Sequence, residues 1–212
     1  MKKVLIPVLA AAVIVGGYFF NASGINNKFT GIKNVDEIPP QILEINKEGL
    51  SPNHFVDAVV VKVLDGDTFE VRYKLALYKV RMLDLDTPES VKPNVPVQPF
   101  AKEASEFTRK KLLNQPVKLY FEKDLKDRYD RLLAYVFLKD GSFFNALLVR
   151  NGFARVEIVK PNIKYKEYFY KLQEQAIEEK AGLWGLKKDM QPFVKNESGE
   201  YVPKYLLQGK AS

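Results

Sequence analysis

The chain has 212 residues, a formal net charge of +7 and a pI near 9.3, with 46% hydrophobic and 12% aromatic residues. That is enough apolar material for one domain with a real core plus appendages, and the positive balance favours an acidic partner such as nucleic acid or anionic lipid. Cysteine is absent and histidine occurs once, at His54. Their scarcity excludes a disulfide scaffold, a thiolate zinc site, a cysteine nucleophile and a lipidated-cysteine anchor, and it argues against a mechanism built on histidine.

Met1-Lys2-Lys3 precedes a 17-residue apolar run, Val4–Phe20. A basic start and an apolar stretch mark an export segment. The run is at the short end for a bilayer span, and Tyr18, Phe19 and Phe20 stand where a cleavage site wants small residues. Residues 1–20 therefore read as an uncleaved signal anchor. It leaves the N-terminus in the cytoplasm and the rest outside the cell membrane. Cleavage after Ala12 or Ala22, with secretion, is the alternative. Residues 21–54, with Pro39-Pro40, read as a linker with one short helical turn near Ile42–Ile45.

The folded unit is expected over 55–185. Strands are expected at Asp57–Leu64, Thr68–Lys74, Tyr78–Leu83, Val117–Glu122 and Leu132–Leu138, with Asp65-Gly66 as the hairpin turn between the first two. In Ala101–Asn114, the residues Ala101, Ala104, Thr108 and Leu112 share one helical face. Asn145–Arg150 is a short helix stopped by Gly152. Tyr165–Ala181 carries the core stripe Tyr165, Phe169, Leu172 and Ala176, and Gly182 follows it. Five strands with helices coming late predict an α+β fold, a small five-stranded β-barrel with three helices packed against it. The polar tail, 186–212, reads as extended or partly disordered.

Three stretches carry chemistry: Asp65-Gly66-Asp67-Thr68, Asp86-Thr87-Pro88-Glu89, and Asp127-Arg128-Tyr129-Asp130-Arg131. Hydrolysing a phosphodiester requires neutralising its negative oxygens, supplying a nucleophile and stabilising a crowded anionic transition state. Asp67, which closes the hairpin turn, and Asp86, which is expected to end the third strand, have no histidine or cysteine nearby and suit a hard divalent cation, calcium or magnesium. Arg81 lies inside a strand between Val80 and Met82, where a guanidinium needs a partner and its fork fits a phosphate or a carboxylate. Arg131 stands at the mouth of a basic loop, and Glu89 is placed to take a proton from water. Each feature also has a plainer reading: a hairpin turn, a structural ion pair for Arg81, a solvated charge run for Arg131, an exposed loop acid for Glu89.

Taken in order, these residues resemble the staphylococcal nuclease (thermonuclease) family over about Phe55 to Gly185. The resemblance rests on the Asp-Gly-Asp-Thr hairpin, an arginine fourteen residues after Asp67 and Asp86-Thr87-Pro88-Glu89 beginning nineteen after it. It continues through Glu103-Ala104-Ser105, Tyr129-x-Arg131, Leu133-Ala134-Tyr135, Asn145-x-x-Leu148-Val149-Arg150-x-Gly152 and Gly182-Leu183-Trp184. It implies an OB-like barrel and a monomeric, calcium-dependent nuclease that cuts DNA and RNA to products with 3′-phosphates. It implies calcium held by Asp67, Asp86 and the Thr87 carbonyl, with Asp65 in an outer shell. Glu89 would be base or water-orienting group, Arg81 and Arg131 would hold the phosphate, and Tyr129 would lie beside the nucleotide. Asp130 stands where the family has glycine. Glu157-Ile158-Val159, before Lys160-Pro161, replace a stretch that carries two substrate-framing tyrosines in the family's well-studied member. The other reading is a non-catalytic OB-like module that binds nucleic acid or protein at the cell envelope.

Overall fold

The computed structural model describes Lys33 and residues 50–208. The apolar run Val4–Phe20 and the helical turn expected near Ile42–Ile45 lie outside the described residues. Among the described residues no helix is long and apolar enough to cross a membrane.

Five strands close into a barrel in the order β1-β2-β3-β6-β5. They are β1 (His54–Val63), β2 (Thr68–Tyr73), β3 (Ala76–Met82), β5 (Pro116–Phe121) and β6 (Leu132–Leu138). All neighbours are antiparallel except β3 and β6, whose parallel pairing of Val80 with Leu132 and Met82 with Ala134 seals the barrel. Alternation explains the interior. Val56, Ala58 and Val60 point inward along β1, and Val63 resumes the inward phase after a register shift between Val60 and Lys62. A bulge of this kind re-aims the strand end that leads into the Asp65-Gly66 turn. Phe69, Val71, Val80, Leu119, Phe121, Ala134 and Val136 fill the rest, all fully buried. Each such large side chain contributes about 1.5–3 kcal/mol by leaving water.

Helix α1 (Ala101–Leu112) buries Ala101, Ala104, Phe107, Thr108 and Leu112, the 3.6-residue stripe, and ends on Arg109, Lys110 and Lys111, which favour the negative end of its dipole. Helix α2 (Phe144–Arg150) contains the buried Asn145. Its side-chain amide donates to Leu83 O at 2.9 Å and accepts from Val136 N at 2.8 Å, bolting β6 to the segment that follows β3. Helix α3 (Lys166–Glu178) buries Phe169, Leu172, Gln173 and Ala176. A Cβ on Gly152 would collide with Ala181 O, and one on Gly182 with Gly152 O, so the chain ends after α2 and α3 touch backbone to backbone only through glycines.

Two sequence expectations need correction. Asp86 does not end the third strand. Strand β3 stops at Met82, the chain turns through Asp84 at φ +63°, and Leu85–Asp86 form a separate two-residue strand, β4, paired with β7 (Arg155–Val156). Nor is the tail extended over its described residues, 186–208. Strands β8 (Phe193–Lys195) and β9 (Tyr201–Pro203) form a hairpin, followed by the short helix α4 (Lys204–Gln208). Phe193 is buried with Ala176, Leu183 and Trp184, and Trp184 meets the Tyr201 ring edge-on at 4.6 Å.

Candidate active site

The β1–β2 turn is pinned from three sides. Leu64 N and Asp65 N both donate to Thr68 O, and Thr108 Oγ1 of α1 donates to Gly66 O at 2.6 Å. A Cβ at Gly66 would lie 2.7 Å from Thr87 Oγ1, so the glycine lets the turn pack directly on the Asp86-Thr87 segment. Thr87 N and Oγ1 then reach Asp67 Oδ2, each at 3.0 Å, while Thr68 Oγ1 donates to Asp67 Oδ1 at 2.8 Å.

Arg81 joins the two aspartates. Its Nη1 pairs with Asp67 Oδ2, and its Nη2 lies 3.0 Å from Asp86 Oδ1, 3.3 Å from Glu157 Oε2 and 3.2 Å from Leu85 O. The β4–β7 register sets Arg155 opposite Asp86; Arg155 Nε donates to Asp86 Oδ2 at 2.9 Å and Nη2 to Glu157 Oε1 at 2.5 Å. Two guanidiniums thus serve three carboxylates. Burial raises the Asp67 carboxyl, but the charge of Arg81 and the hydrogen bonds from Thr87, Arg81 and Thr68 outweigh it and hold Asp67 below the usual range. Asp86 goes the other way: burial raises it, and with Glu157 and Asp67 nearby the arginines do not fully offset that. Burial works against the Arg81 charge, yet Asp67, Asp86 and Glu157 together raise its pKa.

Asp65 is buried behind this pair. It accepts from Gly66 N at 2.8 Å, Ser90 Oγ at 2.6 Å and Ser105 Oγ at 2.8 Å. The adjacent Glu89 is half-buried, and its carboxylate accepts from Lys92 N at 3.0 Å and Val91 N at 3.3 Å. Its backbone is held at both ends by Gln98, through Glu89 N to Gln98 Oε1 at 2.7 Å and Gln98 N to Glu89 O at 2.9 Å. Burial, with Asp65 and Asp67 close by, raises its pKa.

Arg131 enters from the β5–β6 loop, held by Asp127 through Nε at 2.7 Å and Nη2 at 2.6 Å. Asp127 also accepts from Tyr129 N and Arg131 N. Burial raises Asp127, but these bonds win and lower it. Asp130 sits at φ +63°, the conformation that glycine adopts without strain, and its carboxylate turns outward to Lys126 at 2.6 Å. Tyr129 is 65% exposed, with Arg128 and Arg131 over its ring. A cavity of about 480 Å³ brings Arg81, Asp84, Tyr129, Arg131, Glu157 and Lys160 to one surface.

Three residues of this region escape a reading of the sequence. Arg155 and Glu157 look like ordinary surface charges, yet their i, i+2 spacing puts both on one face of β7 and its extension, toward Asp86. Asp84 is 3% exposed, accepts from Tyr135 Oη at 2.8 Å through Oδ2, and has no hydrogen-bond partner for Oδ1 among the described residues. Burial pushes its pKa to about 7, and Glu122, which shares the same tyrosine proton at 3.2 Å, adds to the rise.

A divalent cation fits the donor chemistry at Asp67 and Asp86. Both carboxylates lie within one guanidinium's span, the Thr87 hydroxyl adds a further oxygen beside Asp67, and the sequence places no cysteine or histidine between Gly66 and Glu157 to compete as a soft ligand. Among the described residues no group of three or more histidine, cysteine, aspartate or glutamate side chains is arranged as a metal cage. Backbone carbonyl and water would therefore have to complete a shell, as hard cations commonly require.

The family profile described as "Staphylococcal nuclease homologue" matches residues 79–186. A thermonuclease of Staphylococcus hyicus is 40% identical over 187 residues, covering 87% of this chain and 99% of that protein. The chain belongs to the staphylococcal nuclease family. A Staphylococcus intermedius thermonuclease is 43% identical over 126 residues, 59% of this chain and 74% of its own length. The SPbeta prophage-derived endonuclease YokF of Bacillus subtilis is 40% identical over 131 residues, 61% of this chain and 44% of its own length. The barrel and helices are those expected of the family, and the family match spans Arg81, Asp86, Glu89 and Arg131 of this nuclease homologue.

Proposed function

We propose that this chain is a calcium-dependent nuclease that hydrolyses DNA and RNA to products ending in 3′-phosphates, acting as a monomer. The observation that carries the reading is the single guanidinium of Arg81 spanning Asp67 and Asp86 at the edge of a cavity that also holds Arg131. Arg81 is held at the cavity edge by these carboxylates, and its fork would match two phosphate oxygens once Asp67 and Asp86 turn to a cation. Arg131, oriented by Asp127, supplies the second set of donors. Glu89 orients water and takes its proton as the water oxygen bonds to phosphorus and the phosphorus–O5′ bond breaks; O5′ leaves with a proton taken from solvent, and the phosphate stays on the 3′ side. Tyr129 offers a ring for the nucleotide. Asp67, Asp86 and the Thr87 carbonyl would hold calcium, with Asp65 fixing the turn behind them. When bound, calcium supplies Lewis-acid charge to a phosphate oxygen.

The test is incubation of the purified protein with single-stranded DNA and RNA in calcium, in magnesium and in excess chelator, followed by end-group analysis. Cleavage in calcium alone with 3′-phosphate ends is expected. Full activity in chelator overturns the calcium assignment, and binding without cleavage in every ion points to the non-catalytic module.

For localisation the reading rests on Lys2-Lys3 and Val4–Phe20, as an anchor that places the nuclease outside the cell membrane, or as a cleaved signal that releases it. Protease added to intact protoplasts should digest a sedimenting domain. Protection of the domain inside protoplasts overturns export.

A further inference from the structure

We propose that the C-terminal hairpin and α4 act as a brace for the active site, holding Arg155 against Asp86 and steadying the loop that carries Glu89. Arg155 is 7% exposed, and its guanidinium is fully engaged. Two of its nitrogens go to Asp86 and Glu157. The third donates to Tyr201 O of β9 at 2.9 Å and to Val156 O at 3.3 Å. The plane rests over the Phe193 ring of β8, with its central carbon 5.5 Å from the ring centroid. The hairpin thus supplies both the ring and the carbonyl that fix the direction from which Arg155 reaches Asp86.

The same segment touches the Glu89 loop at two points. Gln98, which clamps Glu89 at both its N–H and its carbonyl, donates its own amide to Pro192 O at 3.4 Å. Lys92 Nζ donates to Tyr205 Oη of α4 at 3.1 Å and lies 5.0 Å from that ring's centroid. Trp184 and Phe193 anchor the segment to α3, so the brace stands on the core and not on solvent-exposed contacts alone. Arg155 and Phe193 are positioning residues: neither lies against the cavity, and both act through Asp86. Partners that orient a cation's ligands this way typically alter affinity or activity about 10–100-fold when removed.

The effect on cation affinity rests on the proposed calcium reading; the effect on loop order does not, and the test separates them. In the full chain, Phe193→Ala should weaken calcium binding by about 10-fold or more in calorimetric titration, and lower kcat more than it changes KM. With no divalent ion present, it should speed hydrogen exchange at the Thr87, Glu89 and Gln98 amides while β1 and β5 keep their protection. Tyr205→Phe should speed exchange only in the Glu89 loop. Unchanged calcium affinity and unchanged exchange in Phe193→Ala would overturn the brace. Should Phe193→Ala loosen the whole domain, Arg155→Lys decides: it leaves the hairpin its Phe193–Trp184 packing but cannot bridge Asp86, Glu157 and Tyr201 O together, and wild-type calcium affinity in it overturns the proposal. If the unaltered protein takes up no calcium, the calcium reading fails, and the exchange data alone judge the brace.

Discussion

Replacing Asp84 by asparagine should reverse the sign of its effect on stability between mildly acid and mildly basic pH. Asp84 lies at φ +63°, a conformation asparagine also tolerates, and Tyr135 can still donate to its side-chain oxygen. The folded-state pKa near 7 lies above the ordinary 3.8. Between those two values the folded protein binds more protons than the unfolded chain, so proton uptake stabilises the fold fully below about pH 4 and is lost as pH rises through 7. Integrated over that window the loss is about 4 kcal/mol, of which about 3 kcal/mol falls between pH 5 and 8. When protonated, Asp84 can donate to Tyr135 and free the tyrosine proton for Glu122; when ionised, two carboxylates compete for that one proton. Asparagine does not titrate, but its amide must point at the place where Oδ1 has no partner, a constant penalty of about 1–3 kcal/mol. Asp84→Asn should therefore be less stable than wild type at pH 5 and as stable or more so at pH 8. Urea unfolding at pH 5, 6, 7 and 8 measures this directly. Parallel stability curves for the two proteins would refute the reasoning, because they would mean Asp84 does not take up a proton on folding.

Other substitutions test the remaining parts of the site. Arg81→Lys keeps a charge but cannot span Asp67 and Asp86, and Glu89→Gln removes the proton acceptor; each should lower kcat on the order of 10²-fold or more while circular dichroism stays native. Gly66→Ala pushes a methyl group into the Thr87 side chain, so Thr87 should release Asp67 and calcium affinity should fall, read by titration. Asp130→Gly relieves a left-handed φ at an exposed position and should raise the unfolding free energy by up to about 1 kcal/mol, with activity at or above wild type.

The barrel is legible in the chain because its strands alternate and its turn residues are chemically marked. Thr68–Tyr73 falls where alternation places it, and Leu132–Leu138 where a continuous apolar run between Arg131 and Lys139 does. The β4–β7 bridge is not legible, since two residues have no period, and Asp86 is consequently misassigned to the end of β3. The tail misleads for a different reason. Its hairpin is held by widely spaced contacts, Phe193 to Trp184 and Arg155 to Tyr201, and by the Asn196-Glu197-Ser198-Gly199 turn, in a segment whose average composition is polar. Arg81 announces itself as a charge between Val80 and Met82 inside a strand, and Asp67 as part of the Asp-Gly-Asp-Thr hairpin. Arg155, Glu157 and Asp84 do not, because only the pairing of β7 with β4 and the crossing of β6 with the turn after β3 bring them to the site and bury Arg155 and Asp84.

The seam between β3 and β6 has a consequence for when the chain becomes hazardous. Arg81 lies on one side of that seam and Arg131 immediately precedes the other, separated by fifty positions along the polypeptide. A parallel pairing of such range forms only after the intervening loop has surrendered its freedom, which makes it a late event for chains of this topology. Until then the two cationic grips have no common cavity. A chain whose barrel is still open accordingly cannot present both guanidiniums to one phosphodiester, and that capacity arrives in one step with barrel closure. Refolding followed simultaneously by tryptophan fluorescence and by substrate cleavage would show the delay directly: cleavage should lag behind any early burial of Trp184 and coincide with the final structural phase.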